Sequence, residues 1–388
     1  MPSRKTILVL HLAGQYPLAG VAWQAVHYVV GLTRLGHDVY YVEDSGASPY
    51  DPRIKSVVED CSYNAAFVQR MMERFGLGDR WAYWDLAHNA CYGLSREELL
   101  RLYGEADALL NLCGATRLRE EHLHCPVRIY VETDPVGRQI ELAQGNPLTK
   151  AFLDTHTHHF TYGENLGSPD CPIPLERFDW KTTRPPVMLD LWEYRFNPQA
   201  ERFTTVATWR HDNKGITFGG ERYYWSKHVN FLRFQDLPQL TSQKFELALE
   251  TADAEVRALL REKGWFLMDP YQQSYDLQAY HDYVYNSRGE FTVAKDLYAR
   301  TQSGWFSDRS VCYLAAGKPV ITQETGFSKF IPTGQGLFAF STMAEILAAI
   351  DEVNARYETH CQTAREIAQE YFDSAKVLAK MLQDVGVG

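Results

Sequence analysis

Ser307, Asp308, Arg309 and Ser310 stand in succession ahead of an apolar run that closes on Gly317. Small, acidic and basic side chains in that position predict a helix that begins at about Ser307, with first-turn amides left unsatisfied within the helix. Such amides, the helix dipole and the Arg309 guanidinium all act on the same negative charge, so the chemistry they suit is capture of an anion such as a diphosphate. Residues 319–322 read as a short strand. Glu324, Thr325 and Gly326 follow at its carboxyl end, where open α/β sheets bind ligands. Further cations lie upstream: Lys295, close enough to share the phosphate, and Arg210 with Lys214 in the loop 209–215. That loop is either a phosphate contact or a solvated hairpin tip. Lys227 and His228, which open another helical segment, are weaker candidates.

Carboxylates suited to proton transfer lie in the amino-terminal half. Glu132 and Asp134 leave a strand with only Thr133 between them, so both side chains are expected on one side of an extended chain. Asp134 is the candidate general base for an acceptor hydroxyl, with Glu132 on the acceptor side. Pro135 leaves a second reading open, in which Asp134 caps the next helix. His11 is the alternative base, although its place inside an apolar run favours a core role. Gly14 and Gln15 begin the loop after the first strand, either an ordinary turn or a place where backbone approaches a ligand; it is not GxGxxG, which argues against a dinucleotide fingerprint. Glu164 follows another strand and is expected toward the acceptor. His156, His158 and His159 alternate on an extended segment, poor geometry for one ion, so no metal site is expected.

The elements that must position these groups follow from periodicity. Residues 6–12, 21–35 and 38–42 read as strand, helix and strand, the unit of a parallel sheet with right-handed crossovers. Helical segments are expected within 53–75 and at 96–103, and strands at 108–112, 127–131 and 158–162. Six prolines between 168 and 198 mark a linker texture. Strands are expected again at 204–208, 245–249 and 265–267, with a helix over 253–263. Helical periodicity dominates 342–382. No internal repeat appears.

Residues 204–388, and most strongly 290–340, resemble nucleotide-sugar-dependent glycosyltransferases of the GT-B fold. The likeness rests on the Gly- and aromatic-rich approach Gly304, Trp305, Phe306, the helix start at Ser307 to Ser310, and the polar loop after the next strand. It implies an α/β fold with two Rossmann-like domains facing each other across a cleft, and C-terminal helices crossing back. The implied division is an acceptor domain over 1–180, a linker over 181–201, a nucleotide-sugar domain over 202–365 and a final helix over 366–388. The implied activity is metal-independent transfer from a nucleoside-diphosphate sugar, a co-substrate rather than a bound cofactor, to an acceptor hydroxyl on a small molecule or glycan. Arg210, Lys214, Lys295 and Ser307 to Ser310 would hold the diphosphate, and Gly14, Gln15 and Glu324 to Gly326 would face the donor sugar. Many retaining members carry two glutamates eight positions apart; eight residues after Asp308 stands Ala316, which favours inversion. The rival readings are an epimerase of the same fold and a non-catalytic nucleotide-sugar or carbohydrate-binding protein.

Composition bounds these readings. At 388 residues, 45% hydrophobic and 23% charged, the chain suits two globular domains. A formal charge of -10 without a Lys/Arg run predicts no nucleic-acid partner. His11 breaks the first apolar stretch, which is too short for a membrane span, so a cytoplasmic protein is expected. The seven scattered cysteines lack CxxC spacing and are expected as reduced thiols. Oligomeric state is not indicated.

Overall fold

A computed structural model describes residues 4–211, 214–251 and 253–387. The first sheet has the order Trp180–Thr182, His158–Thr161, Val127–Glu132, Ala108–Leu112, Thr6–Leu10, Asp38–Glu43, Trp81–Asp85, Ala90–Gly93. Its strands are parallel except the last, which pairs antiparallel with its neighbour. The central strands Thr6–Leu10 and Ala108–Leu112 are buried on both faces, which is why they read as continuous apolar runs. The second sheet is wholly parallel, in the order Phe266–Met268, Lys244–Glu250, Arg202–Thr208, Gly289–Thr292, Val320–Gln323, Leu337–Phe340.

Both sheets reverse their strand order at an inner strand, which opens a crevice at the carboxyl edge. In the first the crevice lies between Thr6–Leu10 and Ala108–Leu112, and in the second between Arg202–Thr208 and Gly289–Thr292. Helix Ala19–Arg34 is apolar nearly all round because it is covered on more than one side. It packs on Leu277–Asn286 of the second half and on the last helix, Ser374–Asp384, and the approach is so close that a Cβ on Gly31 would lie 2.6 Å from Leu378. The carboxyl-terminal helix therefore crosses back onto the first sheet's layer.

Several elements differ from expectation. Within 53–75 the helix is Ser62–Arg74, preceded by a small hairpin, Tyr50–Asp51 with Ser56–Val57. Strand Trp180–Thr182 forms inside the Pro-rich stretch because it borrows its ladder from His158–Thr161. Strand Leu337–Phe340 and helix Leu277–Asn286 also went unforeseen: each lacks a clean period, since four residues of strand are too few and seven of the helix's ten residues are aromatic, histidine or apolar on several faces.

Candidate active site between the two sheets

The turn that carries Asp134 is built by the residues around it. Strand Val127–Glu132 ends in a buried carboxylate, Glu132, which accepts from Gln139 Nε2 at 2.7 Å and from Thr161 Oγ1 at 2.8 Å. Gln139 Oε1 in turn accepts from the Val136 amide at 2.9 Å. Val136 sits at φ +84°, a region that a β-branched residue rarely enters, so this chain of bonds holds a strained corner directly after Pro135. Asp134 projects from that corner with its side chain 40% exposed. It does not cap helix Gly137–Ala143, whose cap position is Val136. Glu132 and Asp134 diverge: one braces the turn, the other faces the second sheet. Burial pushes the Glu132 carboxyl up to about 7, against its two donors.

Asp134 meets the second half of the molecule. Its Oδ1 accepts from Lys295 Nζ at 2.5 Å and from the Tyr298 hydroxyl. Partial burial raises its pKa, but Lys295, Tyr298 and Lys214 outweigh that and leave it below the usual carboxylate range. Lys295 follows strand Gly289–Thr292 and precedes helix Asp296–Thr301, so Tyr298, three residues on, lies on the same turn. The Lys295 ammonium also stands 3.2 Å from the ring centroid of Trp225, and Lys214 stands 4.2 Å from it, so two cations share one indole. Trp225 follows the hairpin Gly215–Phe218 with Glu221–Tyr224. Arg210 is exposed on the same loop; Asp212 and Asn213 lie outside the described residues.

The helix expected at Ser307 is present as Asp308–Ala315, with Ser307 at its cap position but its side chain accepting no bond from the first-turn amides. Its amino end faces the first sheet. The Tyr162 hydroxyl donates to Asp308 Oδ1 at 3.4 Å, and burial together with nearby Asp134 pushes the Asp308 carboxyl up to about 6 against donation from Gln24. Ser307 and Ser310 are buried, and Ser310 Oγ has no partner among the described residues. Arg309 turns inward: Nε donates to Glu290 Oε1, Nη1 to the Val206 carbonyl at 2.8 Å and Nη2 to Thr292 Oγ1 at 3.0 Å. It ties the two strands of the crevice together. Lys227 lies beside it, 7% exposed, donating to Thr292 Oγ1 at 2.9 Å. Its position is set by the Asp296 amide bonding the Ser226 carbonyl and by Asn230 Nδ2 bonding the Ala294 carbonyl.

Other expected residues occupy supporting positions. His11 is buried, with Nε2 2.9 Å from Gln24 Oε1, and burial lowers its pKa to about 4. It lies in the first sheet's crevice beside Cys113, a residue at φ +59° whose thiol accepts from Thr133. The Gly14 and Gln15 amides donate to the Glu43 carboxylate, and burial pushes Glu43 up to about 7 against those donors. Glu43 also lines a cavity of about 280 Å³ with Glu59, Tyr83, Trp84, Asp85 and His88. Glu164 is paired with Arg184 at 2.8 Å, away from Asp134. Glu324 Oε1 accepts from the Thr325 and Gly326 amides at 2.9 and 2.5 Å, closing its own loop, and Thr325 Oγ1 bonds the Trp305 carbonyl at 2.6 Å. Trp305 Nε1 donates to the Thr133 carbonyl at 2.9 Å, next to Asp134. Sequence reasoning missed Tyr298, Gln24 and Tyr162; for Tyr298 the spacing from Lys295 was the available signal, whereas Gln24 and Tyr162 reach the site only through tertiary contact.

The chain as a whole superposes on nucleotide-sugar enzymes. An α-glucosyltransferase solved with UDP-glucose and DNA containing an abasic site is 13% identical, with a TM-score of 0.60 over 99% of this chain and 100% of that one. AviGT4, a glycosyltransferase involved in avilamycin A biosynthesis, is 11% identical at a TM-score of 0.56, over 98% and 97% of the two chains. Sucrose-phosphate synthase from Thermosynechococcus elongatus is 12% identical at 0.57, over 98% of each. The fold is GT-B. No protein-family model and no curated protein sequence matches the chain.

These likenesses correct one expectation. Net charge alone predicts no nucleic-acid partner, yet α-glucosyltransferases of this fold are solved on DNA. Net charge is a property of the whole surface, whereas DNA contact depends on the potential of one face, so a chain at -10 is not thereby barred from it. Among the described residues no helix is long and apolar enough to cross a membrane, and no group of three or more His, Cys, Asp or Glu is arranged to hold a metal ion.

Proposed function

We propose that this protein is a glycosyltransferase that binds a UDP-sugar between its two sheets and transfers the sugar to an acceptor hydroxyl. The observation that carries this reading is convergence at the second sheet's crevice: Lys227, Lys295, Lys214 and the amino end of Asp308–Ala315 gather opposite Asp134. Ammonium groups and helix amides supply the positive potential that a departing diphosphate needs, which a divalent ion would otherwise provide. UDP-glucose and UDP occupy structures of the same fold, which supports uridine as the base.

In this reading Lys295 turns from Asp134 to the diphosphate when the donor arrives. Asp134, relieved of its cation, then accepts the proton of the acceptor hydroxyl. The acceptor oxygen bonds to the anomeric carbon as the bond from that carbon to the phosphate oxygen breaks, and the electron pair leaves on the diphosphate. Attack from the Asp134 side, opposite the leaving group, inverts the anomeric centre. The carboxyl edge of the first sheet, with its cavity beside Glu43, is the acceptor side. Acceptors to assay include DNA containing an HMU base, the substance of one similar structure.

A thermal-shift panel of nucleoside diphosphates and their sugars tests the donor. Ligand at about 100 times its Kd stabilises by roughly 2.7 kcal/mol, so UDP and UDP-glucose are expected to raise Tm by several degrees. A panel in which no nucleotide moves Tm at millimolar concentration would sink the reading.

A further inference from the structure

We infer that donor binding is coupled to the uptake of one proton by Lys227, an inference that rests on the diphosphate binding among Lys227, Lys295 and the amino end of Asp308–Ala315. Lys227 Nζ is buried, and among the described residues its hydrogen-bond partner is the Thr292 hydroxyl while no carboxylate makes an ion-pair contact with it. The charged groups that face it come from three elements: Arg309 from the helix, Glu290 from strand Gly289–Thr292, and Lys295 from the segment after that strand. Glu290 is already claimed by Arg309, which donates to its Oε1. An ammonium in that place has lost its water and sits between two other cations. Burial first, then Arg309 and Lys295, hold Lys227 well below the ordinary lysine range, with Glu290 opposing. Burial lowers Lys295 too, but there the contact with Asp134 opposes the shift.

Burial, two neighbouring cations and a hydroxyl as its hydrogen-bond partner therefore favour the neutral amine of Lys227 in the free protein. A diphosphate beside it supplies two negative charges where the one carboxylate that faces Lys227, Glu290, is already paired with Arg309. The balance is simple: amine, proton and donor give ammonium bound to donor, with the proton taken from solvent and no covalent bond changed. Between the pH values at which free and bound Lys227 titrate, donor affinity falls by up to about tenfold per pH unit.

The test is calorimetric titration of UDP-glucose into the full-length protein at pH 8, where that ligand has no titrating group of its own, in HEPES, tricine and Tris. The expected result is a binding heat that varies with buffer ionisation heat with the sign of proton uptake, up to one proton per donor bound. Lys227→Met should bind at least tenfold more weakly with a slope near zero, while Asp308→Asn keeps the slope. UDP-glucose binding with no buffer dependence, or an unchanged slope in Lys227→Met, overturns the inference and leaves the donor reading standing. Absence of any binding heat or Tm shift in the unmodified protein defeats the donor reading, and the inference with it.

Discussion

Asp134 and Lys295 meet as carboxylate and ammonium at 2.5 Å, so each restrains the other until a diphosphate competes for the lysine. Asp134→Asn removes the base but keeps the shape; turnover is expected to fall by about 10²- to 10⁴-fold while UDP affinity holds or improves, because Lys295 is released. Steady-state rates with calorimetric binding check this, and near-normal turnover would assign the base elsewhere. Arg309 belongs to a different class of residue. It neutralises buried Glu290 and bonds the Val206 carbonyl, so Arg309→Met leaves a carboxylate uncompensated and should cost about 3 to 5 kcal/mol, read as lowered Tm. Adding Glu290→Gln to that variant should restore much of the loss. If Tm is unchanged in the single variant, the guanidinium is serving ligand rather than scaffold.

At the level of elements, helix Asp308–Ala315 reaches the first sheet only because the chain before it turns at Gly304. There φ is +82°, and a Cβ would stand 2.4 Å from the Asn165 amide nitrogen. Gly304→Ala is therefore expected to destabilise by more than 1 kcal/mol and to pull the helix start away from Tyr162. Gly104, inside helix Arg96–Glu105 with open space around it, should respond oppositely: Gly104→Ala gains up to about 1 kcal/mol. Chemical denaturation of the two variants decides the matter, and equal effects would remove the steric argument. The same elements explain what was legible in the sequence. Thr6–Leu10, Ala19–Arg34 and Asp308–Ala315 announced themselves because local pattern and tertiary burial agree. Trp180–Thr182 did not, since its ladder partner lies about twenty residues earlier. The site was legible as residue types at strand ends. Which carboxylate faces the cleft was not, because Glu132 and Asp134 separate only through the bend at Val136, which is held by Gln139.

For the molecule as a whole, pH dependence follows from buried carboxyls. Glu132 and Glu43 rise from an ordinary 4.5 to about 7, chiefly through burial, so the folded state binds their protons more tightly than the unfolded chain does. Their contribution to stability is full below about pH 4.5 and is lost as pH rises to 7, about 3 kcal/mol for each. Glu132→Gln should match the unmodified protein in Tm at pH 4.5 and exceed it at pH 8; equal values at both would refute a burial-raised carboxyl. Closure of the two halves depends on contacts beyond the site, including Trp305 on Thr133, Lys329 on Asn165 at 3.1 Å and the final helix against Ala19–Arg34. These place the crevices of the two sheets against each other, and the central claim is that a UDP-sugar binds where they meet. A crystal structure with UDP bound tests it most directly. Diphosphate oxygens are expected within hydrogen-bonding distance of Lys227, Lys295 and the first amides of Asp308–Ala315, with Lys295 withdrawn from Asp134. UDP bound elsewhere, or at this crevice with Lys295 still on Asp134 and Lys227 beyond reach, would contradict it.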